Sequence, residues 1–158
     1  MISIRAAQRA DVALILRFVR ELAEYERLAH EVRASEQDLE RSLFGDPVYA
    51  HAVLASLGGQ SVGFALYFFN YSTFLGRPGL YLEDLYVSPS ARGHGVGRAL
   101  LAHLAGIAVE RGCGRLEWAV LDWNEPAIRF YRSLDALPND EWTTYRVTGE
   151  ALMRLARA

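Results

Sequence analysis

Cysteine is nearly absent: Cys113 is the only one in 158 residues. No intramolecular disulfide can form, and a cysteine-rich metal cluster is excluded. Neither sign of charge dominates, since 17 basic and 19 acidic side chains leave a formal charge of −2. With no basic run either, the electrostatic footprint of a nucleic-acid binder is missing. Long apolar runs are missing too. No segment approaches the ~20 apolar residues of a membrane helix, and the opening MISIRAAQRADVALIL lacks the apolar core of a secretory signal. There is no internal repeat and no low-complexity linker. His30, His51 and His103 show no ligand spacing, so no metal is expected. These absences lead to the expectation of one cytoplasmic domain over residues 1–158, without nucleic-acid or membrane partners. The 51% of hydrophobic residues suffices for a single core.

What is there is patterned. Ile2 and Ile4 alternate with polar residues, which predicts a short strand. Asp11 is a candidate cap for a helix carrying Val12, Ile15, Leu16, Val19, Leu22 and Ala23 on one face, through about Leu28. Ser35 opens a second helix, SEQDLERSLF, with an acidic first turn, and Gly45 ends it. YAHAVLASL and QSVGFALYFFNY read as two strands joined by a Gly58-Gly59 turn. RPG at Pro78 predicts a break, after which LYLEDLYV (80–87) reads as a largely buried strand with two carboxylates inside it. A glycine loop and a helix follow, closed by Gly112 and Gly114. RLEWAVL is another strand, Asn124 caps the helix EPAIRFYRSL with Pro126 in its first turn, EWTTYRV is a last strand and GEALMRLA a final short helix. Strand–loop–helix–strand alternation implies a parallel pair, and the hairpin adds antiparallel strands. The fold class is therefore α/β, a mixed sheet with helices on both faces.

The loop ARGHGVGRALLAHL (91–104) carries the chemistry. Glycine at every second position gives backbone freedom where a helix begins. A helix N-terminus offers unpaired N–H groups and a partial positive charge, together a seat for phosphate. It is not a P-loop, because Gly97 is followed by Arg98-Ala99 and not by Lys-Ser/Thr. It is not a dinucleotide fingerprint either, because Gly93, Gly95 and Gly97 give G-x-G-x-G. Taken alone, a ligand-free tight turn is an equal alternative.

Arg92, Gly95 and Gly97 form R-x-x-G-x-G directly after a strand and at the start of a helix. This resembles the acetyl-coenzyme A pyrophosphate loop of the GNAT N-acetyltransferase superfamily. ELAEYE (21–26), GFALYFFNYSTFLGRPGLYLEDLYV (63–87) and AVLDWNEPAIRFY (119–131) are similar, in order and spacing, to its diamine/polyamine and thialysine acetyltransferase branch. The resemblance covers nearly the whole chain. It departs at Asp135, where the family usually has glycine, and the segment after it is less familiar.

The resemblance implies a mostly antiparallel twisted sheet with a central, splayed parallel strand pair. It implies acetyl-coenzyme A as cosubstrate, held by main chain from Arg92, Gly93, His94, Gly95, Val96, Gly97 and Arg98. It places Asn124 on the cofactor, and main chain of Leu85, Tyr86 and Val87 against the pantetheine arm and the thioester carbonyl, where backbone donors stabilise a developing oxyanion. It makes Tyr131 the acid that protonates the leaving thiolate, and it places Glu83 near the amine as a base acting through water. Asp84, Tyr25 and Glu26 border the amine channel. A homodimer is implied in the same way. Each assignment has a plainer counterpart. Tyr131 shares a helical face with Ala127, Ile128 and Leu134 and reads equally as core. Asn124 is a good helix cap. Glu26 ends a solvated helix. Glu83 and Asp84, adjacent in a strand, point to opposite faces under strict alternation and could each pair with arginine.

The leading reading is an amine N-acetyltransferase working by direct transfer in a ternary complex on a small cationic amine: a polyamine, a diamine or a lysine-like amine. A coenzyme A-binding module without turnover and a protein lysine or N-terminal acetyltransferase are the alternatives. The pairing of Glu83 with Tyr131 argues against the first, and the small-amine resemblance of 21–26 against the second. An acetyl-cysteine route is disfavoured because Cys113 follows the loop helix.

Overall fold

A computed structural model describes residues 1–158, which divide into two compact units, Met1–Ala119 and Val120–Ala158. The first unit holds five strands in the spatial order β1 to β5: β1 Ile2–Ala6, β2 His51–Leu57, β3 Gln60–Ser72, β4 Arg77–Val87 and β5 Leu116–Trp118. The first three pairings are antiparallel and β4–β5 is parallel. Its helices are α1 Val12–Tyr25, α2 Glu36–Phe44 and α3 Val96–Glu110. The mixed sheet expected from the sequence is present.

Cross-strand register assigns the faces. Leu54, Phe64 and Tyr86 lie on one face and pack with Ile15 and Phe18 of α1 and Leu43 of α2. Phe18 and Phe64 are fully buried, with ring centroids 5.8 Å apart and nearly parallel planes. Removing each such side chain from water contributes about 1.5–3 kcal/mol. Val53, Ala65, Tyr67, Leu80 and Leu82 line the opposite face with α3, whose Leu100 and Leu104 are fully buried and whose end sets Arg111 over the Phe69 ring. The β2–β3 turn places Gly58 and Gly59 at φ 58° and 84°, the left-handed pair a two-residue hairpin requires. Ser35 caps α2 in a reciprocal capping box with Asp38.

Several sequence expectations are corrected. The first helix stops at Tyr25 and not near Leu28. Asp11 precedes it, but its carboxylate bonds Arg5 and the Gln8 amide instead of the helix amides. Arg77-Pro78-Gly79 does not break the chain: β4 begins there, with Pro78 opposite Tyr71. Proline is tolerated near the start of a strand, where one donor fewer costs little. The strand expected over RLEWAVL is reduced to Leu116–Trp118, which leaves β5 as the last strand of the sheet.

The second unit contains α4, Glu125–Arg132, and α5, Gly149–Ala156. The strand expected at EWTTYRV does not form, and every residue from Leu137 to Ala158 is exposed. Its aromatic and β-branched residues have the propensity, but a strand is stabilised by a neighbour, and 141–147 has no ladder.

Candidate active site

The first unit brings three segments together: the end of α1, the second half of β4 and the glycine loop that opens α3. The decisive local feature is in β4. Leu82 pairs with Tyr67 and Asp84 with Leu66, so Glu83 is an extra residue without an opposite number on β3. A bulge of this kind bends the strand and re-aims side chains, often beside active sites. Strict alternation would put Asp84 on the α3 side with Leu82. The shift carries it to the α1 side, with Leu66 and Tyr86. The expectation that Glu83 and Asp84 act on opposite faces therefore fails, because alternation is interrupted between them.

The electrostatics agree. Burial, then the charges of Glu83 and Glu26, push the Asp84 carboxyl up to about 7. Burial also raises Glu26. Glu83 itself is exposed, and its charge reaches Tyr81, whose hydroxyl is raised by burial first and by Glu83 and Glu117 after it. Three carboxyl groups share one region with no buried cation among the causes of Asp84's shift. That arrangement costs free energy alone and recovers it when a cation enters.

Beyond the bulge, β4 loses its second neighbour. It pairs with β5 only over Leu80–Leu82, while β3 follows it to Val87. The backbone edge of Glu83–Val87 that faces away from β3 has no strand partner. Tyr86 directs its ring into the core beside Phe18, at 5.8 Å, so main chain is what Leu85–Val87 offers along that edge.

In the loop, Gly93 and Gly95 take φ 82° and 84°, a region costly for a residue with a Cβ. Gly95 is the left-handed N-cap of α3, and the first intrahelical bond runs from Ala99 N–H to its carbonyl at 3.0 Å. The N–H groups of Val96, Gly97 and Arg98 thus have no intrahelical acceptor. Val96 is buried and anchors the turn. His94 turns its Nδ1 to the carbonyls of Ala91 and Arg92, both at 3.2 Å. The Arg92 side chain is engaged with its own chain: Nε donates to Val87 O at 2.9 Å, and the guanidinium lies over the rings of Tyr25 and Tyr86. The sequence reading missed both the bulge and this stack. Glu21 and Tyr25, one turn apart on α1, were the available signal for the stack; nothing marked the bulge.

The remaining two site candidates lie in the second unit. Asn124 is buried and precedes α4, accepting Ile128 N–H on its backbone carbonyl at 3.0 Å, but its side chain makes no capping bond. Tyr131 is half-buried near the end of α4, with its ring 5.7 Å from that of Phe130. Its carbonyl accepts from Leu134 and Ala136, and Asp135 between them sits at φ 62°. No group of three His, Cys, Asp or Glu side chains is arranged to hold a metal ion.

Comparison with known proteins bears on this geometry. Residues 15–135 match the acetyltransferase (GNAT) family. A thialysine N-epsilon-acetyltransferase of Mus musculus is 40% identical over 164 residues, spanning 97% of this chain and 96% of its own. An L-ornithine N5-acetyltransferase of Arabidopsis thaliana is 31% identical, covering 96% of this chain and 86% of its own. Among solved structures, an integron cassette protein from the mobile metagenome of V. cholerae superposes with a TM-score of 0.81 at 33% identity, over 99% of this chain and 98% of that one.

Proposed function

Since the chain belongs to the GNAT acetyltransferase family, we propose that it moves the acetyl group of acetyl-coenzyme A to a primary amine of a small cationic substrate, by direct transfer in a ternary complex. The observation that carries the substrate class is the carboxylate group Glu26, Glu83 and Asp84 gathered around the β4 bulge. Relatives named for thialysine and ornithine support a lysine-like amine, and a human relative named spermidine/spermine N(1)-acetyltransferase-like supports a polyamine.

The loop fits the cosubstrate. Main-chain N–H groups at the start of α3, beside two left-handed glycines, suit a diphosphate. Main chain from Arg92 to Arg98 holds it, with Asn124 as a further contact. Main chain of Leu85–Val87, free of a second strand, takes the pantetheine arm and donates to the carbonyl oxygen as charge develops on it. The amine arrives protonated, since its ordinary pKa lies near 10. Glu83 accepts that proton through water, while Tyr25, Glu26 and Asp84 hold the cationic substrate. The amine nitrogen then bonds the acetyl carbon, the carbon–sulfur bond breaks, and the Tyr131 hydroxyl gives its proton to the departing sulfur; the second proton, which the nitrogen loses as the amide forms, passes through water and restores the phenol. The chain acts as one N-acetyltransferase domain over residues 1–158, as a homodimer in the cytoplasm.

The test is thiol release from acetyl-coenzyme A with spermidine, spermine, short diamines, lysine, thialysine and a lysine peptide, with Tyr131→Phe and Glu83→Gln in parallel. Turnover of one small-amine class is expected, falling at least about tenfold in each variant, since general acid–base groups typically contribute 10²–10⁴. Turnover of the peptide alone would replace the substrate class. Acetyl-coenzyme A binding with no turnover of any amine would leave a binding module.

A further inference from the structure

Arg92 opens the glycine loop, yet its side chain points back onto the fold. Its Nε bond to Val87 O ties the loop to the last residue of β4 across the intervening turn Pro89–Ala91. Its guanidinium carbon sits 5.0 Å from the Tyr25 ring centroid and 5.8 Å from that of Tyr86. One cation therefore touches the end of α1, the end of β4 and the loop together. A second link runs parallel to it. The Tyr86 hydroxyl is raised by burial and then by the Glu21 carboxylate, one turn before Tyr25 on α1. The segment so held is a short terminus: α1 ends at Tyr25, Glu26 follows, and Arg27 turns the chain at φ 62° with Leu28 N–H closing on Ala23 O at 2.8 Å. Arginine suits this post because its planar cation stacks on aromatic faces and donates at the same time.

We propose that Arg92 is a positioning residue for the amine side of the reaction: its side chain fixes Tyr25 and Glu26 against β4 and the loop, and so sets the affinity for the amine, while the loop's main chain alone seats the diphosphate. The proposal rests on the acetyl-transfer reading for its kinetic consequence only. The competing role is a direct phosphate contact by the guanidinium, and the two predict different constants.

The experiment compares wild type, Arg92→Gln and Arg92→Lys in amine KM, kcat, acetyl-coenzyme A Kd and amide hydrogen exchange at residues 22–27. Arg92→Gln is expected to raise amine KM on the order of tenfold, the combined worth of two ring contacts. It should speed exchange at 22–27 by a similar factor and leave acetyl-coenzyme A Kd within about twofold. Arg92→Lys, which keeps a cation over the rings, should recover most of both effects. A rise in acetyl-coenzyme A Kd that grows at low salt, with amine KM unchanged, overturns the proposal in favour of the phosphate contact. Equal losses in every constant, with lysine no better than glutamine, overturn it as a general structural defect. If wild type turns over no amine, the acetyl-transfer reading fails. The exchange comparison then decides the clamp by itself, and unchanged exchange at 22–27 in Arg92→Gln overturns it.

Discussion

Asp84 shows how a single residue records a site. Its carboxyl is raised to about 7, first by burial and then by Glu83 and Glu26. An unfolded aspartate loses its proton near pH 4, so between about pH 4 and 7 the folded chain holds a proton that the unfolded chain has released. Stability therefore falls as pH rises through that window and stays reduced above it. Asp84→Asn removes the penalty. The variant should outlast wild type in urea at pH 8 by on the order of 4 kcal/mol, the worth of a carboxyl raised from near 4 to about 7, and match it near pH 4. An equal difference at both pH values would assign the effect to packing. The same titration bears on the proposed reaction, because a cationic amine favours the ionised carboxylate, and amine affinity should rise through pH 7 in wild type and lose that rise in the variant. From the sequence, Glu83 and Asp84 are conspicuous as charges inside an apolar strand. Their shared side is not legible, because one unpaired residue in β4 reverses every face after it.

Elements with a strong period and a clear stop were readable. Ser35 to Gly45, the Gly58-Gly59 hairpin and the final helix 149–156 fall where capping, turn chemistry and periodicity put them. Elements that depend on a neighbour were not. RLEWAVL forms a strand only as far as Trp118, whose partner Leu82 is the last residue of β4 before the bulge, and EWTTYRV has no ladder at all. The end of α4 offers a sharper test of local chemistry. Asp135 occupies the left-handed position that ends the helix, with Leu134 and Ala136 donating to Tyr131 O. Asp135→Gly should raise the melting temperature by the equivalent of about 1 kcal/mol, and Asp135→Ala should lower it, because only glycine enters that region without a Cβ penalty. Like responses to glycine and alanine would mean that the aspartate side chain, not its backbone, sets the cost.

At the scale of the whole molecule, the chain contains no lysine, so all 17 basic side chains are arginine. Acetyl transfer to its own side-chain amines is excluded, and thiol release in the assay reports added amine apart from the single α-amino group. The proposed homodimer is also argued at this scale. Trp142 and Tyr145 are 74% and 92% exposed, in a segment of strand-forming composition without a ladder, while β5 ends the sheet. A second copy supplies both an edge to be covered and apolar side chains to cover it. The variant Trp142→Asp/Tyr145→Asp removes apolar surface that the single chain leaves in water, so the monomer should stay folded, with a melting temperature that, unlike wild type's, does not change with protein concentration. Sedimentation should then show wild type as a dimer and the variant as a monomer. A variant that stays dimeric would move the interface away from 141–147, and a wild type that sediments as a monomer at micromolar concentration would remove the dimer from the proposed function while leaving the chemistry of Glu83 and Tyr131 to be judged by turnover.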